Sequence, residues 1–472
     1  MHLQAIFRSI VLGGLATTAM HTTSVGAAAQ DPGVRSASGD KTTPAPLHGL
    51  GADELTFFAD GLARFATVEV VTGATTTQGN GLGPLFNSNQ CSSCHAQPNT
   101  GGSSPAANPL LSVAGADGAT NTIPWFITAH GPIRVARFIK SNGAYDGGVH
   151  NLFSIAGRSD AGSCDAAQPT FTPAGNPLTG QGGNANIVFR IPTPLFGSGL
   201  IESIPDSAIL ANMHADAAQK ARLGVQGRAN SVQGGNVNLS ANDGTITRFG
   251  WKAQVKSLLM FAGEAYNVEM GISNQLFPQE RNEIASCQGG TAAPNDTNNF
   301  PLTASAYPAT AVLSDIEAFA NFMRMLAPPA AAPATVATNN GREQFIAVGC
   351  ALCHTTSFKT GAAIASGSSR SPSPALSGKT VNLYSDLLVH HMGQGLADGL
   401  TQGLAGPDEF RTAPLWGIGQ RVFFLHDGRT SDLSAAIQAH ESRGSEASAV
   451  IEQFNGLNLA ARQDVLDFLR SL

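Results

Sequence analysis

The sequence predicts a mainly α fold in two halves of one plan, with an irregular, partly β insertion in the first half. Three observations carry the prediction. The pentapeptide C-x-x-C-H occurs twice, as Cys91-Ser92-Ser93-Cys94-His95 and as Cys350-Ala351-Leu352-Cys353-His354. Each copy stands between two segments of helical periodicity. The closing segments read alike, Phe322-Met323-Arg324-Met325-Leu326 and Phe468-Leu469-Arg470-Ser471-Leu472. After the first pentapeptide, a tract reaching to about Asp243 is rich in Gly, Asn, Thr and Pro. Its apolar bursts, such as residues 187–191, suit short strands and loops.

In chain order, residues 1–29 have the form of a secretory signal. Arg8 is the positive end, residues 10–20 are a short apolar stretch, and Ala27-Ala28-Ala29 fits the small-residue cleavage rule. The apolar stretch is too short to span a bilayer, and no later one is long enough. The expected location is the periplasm, or outside the cell. Residues 30–48, polar with Pro and Ala, read as a linker. The first domain is expected over residues 49–329. Residues 55–71 read as its opening helix, and a Gly/Asn-rich approach (78–89) leads into the first pentapeptide. Its closing helix starts at Ser314, a plausible N-cap with Glu317 three residues on. Ile316, Phe319, Ala320 and Met323 fall on one face, and Pro328-Pro329 stops the helix. Residues 330–338 read as a Pro/Ala linker and 339–472 as the second domain. That domain opens with a helix at 342–348 and closes with one at 461–472, where Ala461, Val465, Leu469 and Leu472 share a face.

The 472 residues suffice for two domains with their own cores. A formal net charge of -6 gives no footing for nucleic acid or an anionic membrane as partner.

The repeated pentapeptide carries the chemistry. Two Cys at this spacing take the vinyl groups of a haem as thioethers, and the adjoining His ligates the iron from the proximal side. A thioredoxin-type C-x-x-C is expected near a βαβ pattern, which is absent, and a zinc site does not call for the repeated adjacent His. The sequence thus implies two covalent haem c groups, on Cys91 and Cys94 and on Cys350 and Cys353, with His95 and His354 as proximal ligands. Each half is then expected to be a cytochrome c-like haem domain. Function turns on the sixth coordination position: closed by a protein ligand, a haem moves electrons; open, it can bind peroxide or oxygen. Met392 and His440 are the candidates for the second haem, and spacing alone does not choose between them. Cys164 and Cys287 remain; an oxidising compartment permits a disulfide between them, and the sequence leaves open whether they meet.

The segment Arg411-Thr412-Ala413-Pro414-Leu415-Trp416, continuing to Phe424-Leu425-His426-Asp427-Gly428-Arg429, resembles the bacterial di-haem cytochrome c peroxidase superfamily, with its V-P-T-L-R-N and Y-F-H-D-G stretches. Gly83-Pro84-Leu85-Phe86-Asn87, Leu387-Leu388-Val389-His390-His391-Met392-Gly393 and Ala413-Pro414-Leu415-Trp416-Gly417 are similar to its branch of di-haem oxidoreductases, described as peroxidases and in some cases as thiol oxidoreductases. The resemblance covers most of residues 50–472 and is weak between His95 and Asp243. It implies a distal ligand fourteen residues after the His of H-D-G, which is His440, giving bis-His ligation with a lower potential than His/Met. It implies that Trp251, in Phe249-Gly250-Trp251-Lys252, lies between the haems and aids electron transfer; a plain core aromatic is the alternative. It implies that Glu269, in Asn267-Val268-Glu269-Met270-Gly271, stands above the peroxidatic haem as acid/base, where breaking an O–O bond needs a proton moved from the near to the far oxygen. It also implies a Ca²⁺ between the haems, an electron-donor cytochrome or other small redox protein, and peroxide or another small-molecule oxidant. The chain departs from the pattern where Phe261 replaces a distal Gln and where the Pro of N-P-V-E-M-G is missing. The expected function is a di-haem oxidoreductase passing electrons from the C-terminal haem to a peroxide-reactive N-terminal haem. The alternatives are a pure electron-transfer cytochrome and an oxidase of an organic, thiol or protein substrate.

Overall fold

The structure is a computed structural model that describes residues 28–36, 44–71, 78–116, 118–119, 121–138, 149–150, 152–154, 171, 187–231, 246–279, 294–297, 309–361 and 373–472. Residues 1–27 of the expected signal lie outside the described residues, as do Cys164 and Cys287.

Helices dominate, with short two- and three-stranded ladders between them. The frame is a helix crossing made twice. In the first half, helix Ala52–Phe65 packs on helix Asp315–Met325; in the second, Val336–Ala347 packs on Leu459–Ser471. Both crossings are close because a glycine sits at each contact. A methyl group on Gly61 would collide with the Ala318 carbonyl and Phe322, and one on Gly341 with the Asp464 carbonyl and Phe468. One turn after each glycine an aromatic fills the crossing: Phe65 lies 5.0 Å from the Phe322 ring, and Phe345 5.5 Å from the Phe468 ring. The pairs Gly61/Phe65 and Gly341/Phe345 are thus the same device.

Helix limits follow from their caps. Ser314 receives the Glu317 carboxylate on its backbone N–H at 3.0 Å, and Ile316, Phe319, Ala320 and Met323 are all buried, as the periodicity predicts. The opening helix stops at Phe65, short of the expected 71, because the β-branched run beyond it becomes a strand, Val68–Val70, parallel to Gln78–Asn80. The second opening helix begins at Val336, inside the expected linker, where the Thr335 hydroxyl caps the Thr338 N–H.

The inserted tract does hold short strands. Val135–Phe138 pairs antiparallel with both Val149–His150 and Ile187–Arg190. Among its described residues it also holds four helices that its composition hides: Leu110–Ala116, Ser198–Glu202, Asp206–His214 and Ala217–Leu223. Residues 30–36, expected as linker, lie against the second half. Asp31 pairs with buried Arg470 at 2.6 Å, and the Arg35 guanidinium donates to the carbonyls of Ala330 and Arg470, both at 3.1 Å. The largest core cluster draws Phe358, Leu383, Leu387 and Trp416 from beyond residue 338 into the first half's interior. Among the described residues no helix is long and apolar enough to cross a membrane.

Candidate functional site

Each C-x-x-C-H opens as a single helical turn. His95 N–H donates to the Cys91 carbonyl at 3.1 Å, and His354 N–H to the Cys350 carbonyl at 2.9 Å. The turn throws the imidazole under the frame, beside Phe65 at 6.0 Å in one half and Phe345 at 6.2 Å in the other. Each ring is then fixed by a carbonyl, which can only accept. Nδ1 of His95 donates to Gly102 O at 3.0 Å, and Nδ1 of His354 to Tyr384 O at 2.9 Å. The proton is held on Nδ1, so Nε2 keeps its lone pair. Burial pushes both imidazoles down to about 4, which keeps them neutral, the state a metal ligand needs.

Three of the haem-motif cysteines behave oppositely to reactive thiols. Burial pushes Cys94 and Cys350 up to about 12 and Cys91 well above the usual thiol range. A thiolate nucleophile or thiolate zinc site needs the reverse. Among the described residues no group of three or more His, Cys, Asp or Glu is arranged to hold a metal ion.

A large cavity opens beside each turn. The N-terminal one, about 1200 Å³ including its mouth, is walled by Cys91, Cys94, His95, Phe261, Tyr266 and Glu269. The C-terminal one, about 1360 Å³ on the same measure, is walled by Cys350, Cys353, His354, Met392, His426 and His440. Both linings are mainly apolar with a few polar groups, as a macrocycle with a polar edge requires. The residues therefore fit a haem in each cavity.

His440 repeats the pattern of the proximal histidines. It is half-buried, and its Nδ1 donates to the Ala436 carbonyl at 2.8 Å, one helical turn back, which leaves Nε2 with its lone pair. Met392 borders the same cavity but packs among Ile191, Trp251 and Phe410.

The N-terminal cavity is built differently. His95 is its one histidine among the described lining, and its methionines, Met270 and Met323, belong to the hydrophobic core. Glu269 reaches it from the end of helix Leu258–Met270. That helix is capped by the Ser257 hydroxyl, which accepts from Met260 N–H at 3.2 Å, and it ends at Gly271 in the left-handed region. Gly271 abuts Gly83 backbone to backbone, so the two motifs G-P-L-F-N and N-V-E-M-G are packed together. The contact brings the Asn87 amide to the Glu269 carboxylate at 2.8 Å, and Asn87 is itself held by Leu152 N–H at 2.7 Å.

Trp251 borders both cavities, and its indole N–H donates to Ile191 O at 2.9 Å. Beside it lies a buried charge cluster. Asp398 pairs with Arg190 and, at 3.2 Å, with Lys252; Lys252 stands 4.1 Å above the Phe410 ring, whose other neighbour is His426, stacked at 4.3 Å. The haem-motif cysteines, His95, His354, His440, Met392, Trp251 and Glu269, all singled out from the sequence, line the two cavities. Asn87, the partner of Glu269, was not singled out, nor were Arg190, Arg411 and Arg421, which line the cavities with guanidinium N–H groups that lack partners. Nothing in their local sequence marks them.

Residues 181–472 match the sequence profile of one family, described as "Di-haem oxidoreductase, putative peroxidase". The class is therefore that of oxidoreductases with two haems. The chain belongs to this di-haem oxidoreductase family. No curated protein matches it. Among solved structures it is similar to hydrazine synthase of Kuenenia stuttgartiensis, at 18% identity and a TM-score of 0.21, over 34% of this chain and 55% of that one. It is also similar to a MauG-like protein associated with microbial copper homeostasis, at 17% and 0.26, over 52% of this chain and 77% of that one. A third is the diheme peroxidase BthA of Burkholderia thailandensis, at 14% and 0.27, over 60% and 86%. The chain thus spans about half the length of the first of these.

Proposed function

We propose that the protein is an exported di-haem c-type oxidoreductase of the peroxidase kind, with cytochrome c-like haem domains at residues 49–329 and 339–472. Cys91 and Cys94, and Cys350 and Cys353, attach the two haems; His95 and His354 are the proximal ligands. When bound, the haems would supply the redox chemistry, with a small redox protein as donor to the C-terminal site and peroxide as the oxidant taken by the N-terminal one. His440, in preference to Met392, would be the second residue to hold the C-terminal haem. Trp251 fills the wall between the sites, where an aromatic shortens the path for electrons. Glu269, fixed by Asn87, takes a proton from the near oxygen of peroxide and returns it to the far one. The mainly apolar lining limits water beside that carboxylate.

The observation that carries this reading is the asymmetry of the cavities. The C-terminal one has, besides His354, the imidazoles of His390, His426 and His440, of which His440 keeps Nε2 free of a partner, while its carboxylate Glu446 is bound to His390; the N-terminal one has the carboxylates Glu264 and Glu269 and no second imidazole in its described lining. One closed and one open haem is what division into an electron-entry site and a reactive site requires. Visible and EPR spectra of the oxidised and half-reduced protein, with and without peroxide, test it. A high-spin or peroxide-reactive haem beside a low-spin one is the expected result. Two inert low-spin haems in both redox states would leave only an electron carrier. Glu269→Gln is expected to slow peroxide turnover by about 10²–10⁴-fold with both haems still attached; unchanged turnover removes Glu269 from the mechanism.

A further inference from the structure

Four deeply buried arginines each pair with a carboxylate: Arg190 with Asp398, Arg248 with Asp206, Arg324 with Glu202 and Arg470 with Asp31. Arg411 and Arg421 differ. They are 9% and 6% exposed, and among the described residues neither pairs with a carboxylate. Nε of Arg411, and both Nε and Nη2 of Arg421, are buried without a hydrogen-bond partner; Arg411 uses Nη1 to reach the Arg248 carbonyl at 2.8 Å. Burial drags both guanidiniums down to about 10, and on Arg411 repulsion from Arg421 adds to it. Two neighbouring buried cations without a counter-charge cost several kcal/mol each. Only an anion offsets that cost.

Their position says which anion. Both line the C-terminal cavity, and both also line a smaller pocket of about 530 Å³ that lies against Trp251. Cys350 and Cys353 line the cavity but not that pocket. A haem carries its vinyl groups and its two propionates on opposite edges. Tethered through its vinyl carbons at Cys350 and Cys353, it would bring the propionates towards the arginine wall. The planar guanidinium fork suits a carboxylate. The same pocket suits a divalent cation badly. Its described lining contains two guanidiniums, Arg411 and Arg421, and no Asp or Glu to offset them, so the Ca²⁺ that the family resemblance implies between the haems would meet two like charges there.

We propose that Arg411 and Arg421 form a dicationic clamp for the two carboxylates of the haem in the C-terminal cavity, and that this clamp takes the place of a divalent cation at the wall between the cavities. The clamp rests on the reading that this cavity holds a haem.

The test uses the purified di-haem protein, with attachment checked by its pyridine haemochrome spectrum. Arg421→Gln and Arg411→Gln each remove a positive charge beside the propionates, which favours the oxidised state. The C-terminal haem potential is expected to fall in both and to be held in Arg421→Lys. In the wild type, EGTA is expected to release no stoichiometric Ca²⁺ and shift neither potential, and added succinate or sulfate is expected to leave both unchanged. An unchanged potential in both Gln variants, with haem attached, overturns the clamp. So does Ca²⁺ release by EGTA with a shift in potential. A saturable shift on adding succinate, lost in Arg421→Gln, would mean that a free dianion occupies the site, and overturns it too. If the Gln variants fail to mature, a potential in Arg421→Lys shifted from the wild type overturns the clamp, and the chelator and dianion measurements still identify the occupant. A protein with no haem on Cys350 and Cys353 would instead remove the di-haem reading itself.

Discussion

A histidine is made a ligand by what holds its other nitrogen. His95, His354 and His440 each spend Nδ1 on a backbone carbonyl and keep Nε2 for something else. His390 contrasts with them: Asp386 takes one of its nitrogens at 2.9 Å and Glu446 the other at 2.8 Å, so it has none to give. The difference favours His440 over its neighbours as the distal ligand. His440→Ala should therefore turn the C-terminal haem from low-spin to high-spin in the oxidised EPR spectrum, while Met392→Ala leaves it low-spin. The opposite pattern would hand the position to Met392. His95 and His354 could be singled out in the sequence because their pentapeptide is contiguous. His440 was reached only by counting from His426, and Arg411 and Arg421 were not reached at all. An unpaired charge is a property of what surrounds a residue, and no local pattern records it.

Among the elements, the opening and closing helices were the most legible, because caps and apolar periodicity are local signals. Their limits moved only where a local competitor won: the strand Val68–Val70 shortened one helix, and the Thr335 cap lengthened another. The four described helices of the inserted tract were missed because each is short. Asp206–His214, the longest, buries only Ile209 and has almost no amphipathic pattern. The glycines at the two crossings hold their helices at a distance that no larger residue allows. Gly61→Ala and Gly341→Ala should each destabilise the protein by about 1–3 kcal/mol through overpacking, read as a lowered thermal midpoint. A loss at one position and none at the other would show that the crossings are not equivalent.

Taken whole, the molecule is less divided than its sequence suggests. The repeat predicts two domains, yet one core cluster runs across the expected boundary, and residues 30–36 bind the far end of the chain. Asp31 is the centre of that attachment: it pairs with Arg470 and also accepts from Leu433 N–H at 2.7 Å. Asp31→Ala leaves the Arg470 guanidinium buried without its carboxylate and is expected to cost about 3–5 kcal/mol, measured by chemical denaturation with the C-terminal haem band as probe. A stability within error of the wild type would make residues 30–36 a passive tether. Long-range pairing of this kind joins residues more than four hundred positions apart, which is why the sequence read it as linker.

The doubled crossing of Gly61/Phe65 and Gly341/Phe345 also bears on which substitutions such a chain tolerates. Both crossings stand under the same steric constraint, so exchange of either glycine for a larger residue is resisted in each. The side chains that make the two cavities unlike, His440, Arg411 and Arg421 in one and Glu269 in the other, stand outside the four frame helices. Either lining can therefore change without disturbing the crossing that carries it.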